Sequence, residues 1–224
     1  MMKEFDPFGW LETFFSARTL HLVIRGGISV MLLGFLAHRI SSYWQYWFKP
    51  LWAVETLIFI VFLVSYIIRK DPVERSHGVG EIVIPLIGGI LPFTLLFSPP
   101  HPLILSSIRY VYAVFIWMTA ATCLTLWGLW TLKRSFSVTV EARELVTGGP
   151  YRFVRHPVYL GEMLTALAVC VLRFSVMNAV LIVFFVIIQL YRSRLEENKL
   201  MRVFPDYAGF ASKTLWFWPR RGPG

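Results

Sequence analysis

Six stretches of this chain are apolar over nearly the length a helix needs to cross a bilayer, and nothing else in the sequence restricts the fold as much. About 20 apolar residues in a helix span a hydrocarbon core. The runs cover Thr19 to Ala37, Leu51 to Ile68, Ile82 to Phe97, Leu103 to Leu132, Val158 to Leu172 and Val176 to Tyr191. The third holds Pro85, Gly88, Gly89 and Pro92 and is expected to kink. The last two are short and separated only by Arg173, Phe174 and Ser175, which predicts a tight helical hairpin. Trp and Tyr gather at the ends of the runs, as interfacial anchors do. Composition agrees: 56% of residues are hydrophobic and 16% charged, against about 45–50% and about 25% in soluble domains. The expected fold class is all-α: a polytopic integral membrane bundle of about six transmembrane helices with a C-terminal cytoplasmic helix and loop.

The net charge of +9 does not point to nucleic acid, because the basic residues lie between the apolar runs. Alternate loops hold 17 and 3 Lys or Arg residues, the three being Arg39, Lys49 and Arg173. The positive-inside rule then places both termini and the 133–157 loop in the cytoplasm. The first 20 residues carry early acids and no cleavable apolar core, unlike a signal peptide. They fit a short amphipathic helix on the membrane surface. Cys123 and Cys170 sit in apolar runs and read as packing residues. The five histidines form no HxxxH or HxxHH cluster, so no metal is expected and a membrane di-iron oxygenase is excluded. Arg25, Glu55 and Arg109 fall in or near spans; intramembrane charge is a functional candidate by default, but here a structural role is the expectation.

The chemistry concentrates in "GPYRFVRHPVYLGE", Gly149 to Glu162. Gly148, Gly149 and Pro150 bar regular helix and form a turn. His156 precedes a proline and is pushed towards extended backbone. Pro157 suits the first position of the fifth span, whose N-terminal N–H groups make an anion site. A second stretch, "YRSRLEENKL" from Tyr191 to Leu200, ends the sixth span, with Arg192 and Glu196 on one face and Leu195 and Lys199 on another. Each stretch alone also fits a basic juxtamembrane cap or a solvated helix end. The hairpin makes them neighbours, so they are expected to form one cytoplasmic pocket.

Together, "LVTGGPYRFVRHPVYLG", then "RSRLEE" after one hairpin, then "FPDYAGF", resemble the isoprenylcysteine carboxyl methyltransferase family, whose wider group includes phospholipid N-methyltransferases and bacterial thiol methyltransferases. The resemblance runs from Val138 to Pro219. It divides the chain into an N-terminal membrane region, 1–132, and a methyltransferase-like region, 133–224, with the hairpin at 158–191. It implies an S-adenosylmethionine site: Leu145 and Val146 at the adenosine end, Tyr151, His156, Pro157, Val158 and Tyr159 around the cofactor, and Glu196 at its polar end. It also places Arg192 on the acceptor side, facing a carboxylate that arrives from the membrane. A carboxylate needs no general base. A thiol or amine acceptor would, and Glu162, Glu197 and His156 are the candidates, Glu197 being carried with Arg192 as catalytic. The family's His-x-Leu-Val is Arg143-Glu144-Leu145-Val146 here, and a C-terminal basic position, commonly Arg, is Lys213. The implied partners are the bilayer and a lipophilic or prenylated small molecule.

Two other readings stand beside this one. Sterol-type reductases bind NADPH on a similar C-terminal architecture, but their Arg-His string continues Asn-Tyr and Gly-Asp rather than Pro-Val-Tyr-Leu-Gly-Glu. A non-catalytic transporter or assembly protein would suit the broken third span, although no second half-helix repeats it.

Overall fold

The computed structural model describes residues 9–10, 14, 17–68, 70 and 72–216, with backbone only for 17–22, 24 and 25. The expected surface helix before the first span, the side chain of Arg25 and the end of the tail lie outside the described residues. The described chain is an all-α bundle, with only two isolated bridges and no strands. Its helices are α1 (Ala17–Ser41), α2 (Lys49–Ile68), α3 (Gly78–Thr94), α4 (Pro102–Leu105), α5 (Ile108–Leu132), α6 (Pro157–Leu172), α7 (Val176–Val203) and α8 (Tyr207–Lys213).

Among the described residues, four stretches are long and apolar enough to cross a membrane: Lys49–Ile68, Gly78–Phe97, Ile108–Ser135 and Val176–Val203; α6 and the apolar part of α1 are shorter. The molecule is an integral membrane protein. The turn between α6 and α7 falls where expected, with the Ser175 hydroxyl accepting from the N–H of Asn178 as an N-cap. One expectation needs correction. The fourth run is not one helix from Leu103: it breaks at Ser106 and Ser107 into α4 and α5. The sixth run ends its apolar part at Tyr191 and, as read from its charged stretch, stays helical beyond it, to Val203. The third run stays helical through Pro85 and Pro92 and closes with a 3-10 turn, Leu95–Phe97.

Packing is closest between α5 and α6, followed by α2 with α5 and α3 with α7. Small residues set these distances. A Cβ on Gly161 of α6 would lie 2.2 Å from Thr125 Oγ1 and 2.8 Å from the Ala121 carbonyl of α5. One on Gly128 of α5 would lie 2.7 Å from Val158 Cγ2. Helices in lipid gain little from apolar burial against each other, so this close backbone approach carries much of the association. At the far end of the bundle, Arg39 donates to Glu55 at 2.8 Å and to the Tyr46 hydroxyl at 3.1 Å, latching α1 to α2. Glu55 is thus a structural partner. Arg109 is exposed at the start of α5.

Candidate functional site

The end of α2, both ends of the 72–82 segment, the loop after α5, the start of α6 and the last turns of α7 meet at one end of the bundle. The loop turns at Gly149, whose φ of +57° favours glycine and whose absent Cβ leaves room for Thr131 Oγ1, 2.6 Å away. A 3-10 turn, Gly149–Arg152, follows. His156 then caps α6 with φ −127° and ψ 60°, and Pro157 opens the helix. The tail closes on this entrance: the N–H of Arg155 donates to the Leu215 carbonyl at 2.8 Å, and the N–H of Leu215 to the Phe153 carbonyl at 2.9 Å.

Arg192 occupies the centre. Its guanidinium lies over the Tyr159 ring, 4.8 Å from the centroid. Nη1 donates to Gln189 Oε1 at 3.0 Å and Nη2 to the Val138 carbonyl at 3.2 Å. Its Nε is buried with no hydrogen-bond partner. Gln189, fully buried, passes the link on by donating to Glu162 Oε2 at 2.5 Å. On the other side the Tyr159 hydroxyl donates to Glu196 Oε1. The His156 ring stacks on that of Tyr159 at 5.6 Å, with Nδ1 3.9 Å from Glu196 Oε2 and Nε2 3.3 Å from Glu197 Oε1. Arg155 Nη1 donates to Glu197 Oε1 at 2.7 Å, and both residues are buried. The central group therefore holds one cation, Arg192, against two carboxylates, Glu162 and Glu196, beside a balanced Arg155–Glu197 pair.

Tyr151 is buried next to this group. Burial pushes its phenol well above the ordinary value, and Glu196 and Glu162 push it further. Tyr207 of the tail helix is raised as well, by burial first and by Glu197 next, while Arg155 acts in the opposite direction.

The residues expected at the site are thus largely brought together: Tyr151, His156, Tyr159, Arg192, Glu196 and Glu197 form one cluster. Pro157 and Val158 open the same helix but face Gly128 of α5, and Val158 joins the apolar group of Val61, Leu129 and Phe136. Leu145 and Val146 sit half-buried on the loop just before the Gly148–Gly149 turn. Arg143 is buried and donates to Glu141, and Lys213 is exposed at the end of α8. Sequence reasoning missed Gln189, Tyr207 and Lys199 as members of the polar network. The "FPDYAGF" string carried the only signal for Tyr207. Lys199 was only placed on a helix face with Leu195 and given no role; it is 1% exposed.

Residues 112–202, which include all of α6 and nearly all of α7, match the model of the isoprenylcysteine carboxyl methyltransferase (ICMT) family. This segment is an ICMT-family segment. Two relatives of the ICMT-like part are named for metal resistance. The cobalt-zinc-cadmium resistance protein CzcN of Cupriavidus metallidurans is 36% identical over 77 residues, covering 34% of this chain and 36% of its own length. The nickel-cobalt-cadmium resistance protein NccN of Alcaligenes xylosoxydans xylosoxydans is 32% identical over 92 residues, covering 36% and 38%. The match thus spans just over a third of each relative.

Proposed function

We propose that this protein transfers a methyl group from S-adenosylmethionine to a lipid-like or amphiphilic acceptor reaching the site from the bilayer, the acceptor being a carboxylate of the prenylcysteine type. The observation that carries the reading is the cluster of buried Arg192, Tyr159 and His156 with half-buried Glu162 and Glu196, where the start of α6 meets the later turns of α7, inside the ICMT-family segment. Its donor set fits the cofactor. Two acidic side chains, Glu162 and Glu196, beside one arginine suit a ligand carrying a sulfonium and an ammonium. Aromatic faces of Tyr151 and Tyr159 and the loop at Leu145 and Val146 supply apolar walls, with Pro157 and Val158 fixing the start of α6 between them. S-adenosylmethionine, when bound, supplies an electrophilic methyl group.

The chain's own part is positional. An in-line displacement needs donor and acceptor held in line and water kept out. Arg192 has an unused N–H in a buried setting, so a carboxylate can complete its hydrogen bonding. His156 and Glu196 fix the Tyr159 ring that supports the guanidinium. Glu197 holds Arg155 and His156 in place, and would accept a proton if the acceptor were a thiol or amine. The resistance named in the relatives enters no step here.

The test is calorimetry on the detergent-solubilised protein with S-adenosylmethionine, with NADPH in parallel. Saturable S-adenosylmethionine binding that His156→Ala and Glu196→Ala both abolish is the expected result. Binding of NADPH alone would turn the reading to a reductase, and binding of neither by folded protein would turn it to a non-catalytic role.

A further inference from the structure

Lys199 is a fully buried ammonium on α7, beyond the Arg192 cluster. Its Nζ donates to Glu81 Oε2 at 2.5 Å, to the Arg75 carbonyl at 2.8 Å and to the Val140 carbonyl at 3.0 Å, with Glu74 Oε1 at 4.0 Å. All three of its protons are therefore used. A cation buried this deeply is costly unless fully paired, and the pairing here joins three separate parts of the chain. Val140, with no exposed surface, is held from every side. Its N–H donates to the Glu81 carbonyl at 3.1 Å, and its carbonyl also accepts from Ser76 Oγ at 2.9 Å. Two residues on, Ala142 exchanges backbone hydrogen bonds with Glu74 and accepts from the N–H of Val73 at 2.7 Å.

Lys199 lies seven residues after Arg192, two helical turns along one face of α7. Arg192 holds the Val138 carbonyl and Lys199 the Val140 carbonyl, so one helix face seats both ends of a three-residue stretch. The same loop continues to Leu145 and Val146. Its other anchors, Glu74, Ser76 and Glu81, come from outside the ICMT-matched residues.

We propose that Lys199 is a positioning residue for the cofactor loop: with Glu81 and Ser76 it fixes Val140, and through it the register of Val138 against Arg192 and of Leu145 and Val146 at the adenosine end. The assignment rests on the methyltransferase reading. It makes the N-terminal half part of the site without touching either reactant.

Two variants and two readouts test it. Lys199→Met keeps length and removes the donors; Ser76→Ala removes one donor to the same carbonyl without unpairing a charge. Hydrogen exchange over 136–146 is measured alongside steady-state kinetics. In Lys199→Met, exchange at Val140 and Ala142 is expected to rise by about tenfold or more, while α5 and α6 stay protected. The KM for S-adenosylmethionine is expected to rise about tenfold, with kcat changing less than about threefold. Ser76→Ala should move both the same way by about two- to threefold, and it decides alone if Lys199→Met does not fold. Unchanged exchange overturns the clamp. Faster exchange with unchanged KM overturns the positioning role and leaves Lys199 a folding residue. Wild-type protein that binds no S-adenosylmethionine overturns the methyltransferase reading and the positioning role with it, while the exchange data still judge the clamp by themselves.

Discussion

Arg192 is held by four different kinds of neighbour: an amide, a carbonyl, an aromatic face and, through them, two carboxylates. A lysine in its place keeps the charge but loses the planar fork and the stacking. Arg192→Lys should therefore bind S-adenosylmethionine within about threefold of wild type yet lose about tenfold or more in turnover, while Arg192→Ala should lose about 10²–10³. Calorimetry and methyl-transfer rates on the same preparations separate the two effects, and equal losses in both would remove the acceptor role. Tyr207 gives a pH prediction. Its phenol is raised in the folded state, so folding holds the proton more tightly than the unfolded chain does. Stability is full below the ordinary tyrosine value of about 10 and declines as pH rises above it. Tyr207→Phe should flatten that alkaline decline, as read from unfolding midpoints at pH 9 and pH 11. The Arg155–Glu197 pair sets the cost of the surroundings: removing one buried partner costs about 3–5 kcal/mol.

At the level of helices, much could be read directly from the residues. The α6–α7 hairpin was legible because Arg173, Phe174 and Ser175 interrupt two apolar runs and a serine is a strong N-cap. The start of α6 was legible because His156-Pro157 leaves the helix only one place to begin. The break at Ser106 and Ser107 was not, since two small polar residues barely change the hydropathy of the surrounding run. Lys199 was unreadable for another reason: its hydrogen-bond partners lie 59 to 124 residues away, and α7's own pattern cannot show what covers that face. Gln189, a neutral amide amid apolar residues, gives no periodic signal at all. The α5–α6 contact is the element on which the site hangs. Gly161→Ala should destabilise by about 1–3 kcal/mol through overpacking, seen as a lower unfolding midpoint in detergent. Adding Thr125→Ala should not restore it, because the backbone carbonyl of Ala121 is itself 2.8 Å from the new Cβ. Full rescue would show that only the threonine hydroxyl was in the way.

Taken whole, the molecule places its polar network at one end and its Arg39–Glu55 latch at the other, and from the charge bias we propose that the first end faces the cytoplasm. A membrane-impermeant maleimide should then label Thr147→Cys, on the exposed loop, only in inside-out vesicles. It should label Ser41→Cys, exposed at the end of α1, only in right-side-out ones. The reverse pattern would invert the topology. The shortness of α6 has a consequence for how the protein is made. Its 16 residues reach about 24 Å, less than a bilayer core of about 30 Å, and they include Glu162. Partitioned alone from the translocon into lipid, such a segment is a weak entrant, because an ionisable residue inside a span costs a few kcal/mol. Gln189 of α7 supplies the partner for that carboxylate, and only three residues separate the two helices. Insertion of α6 is therefore expected to wait on synthesis of α7, the two entering the membrane as a single unit with Glu162 already matched.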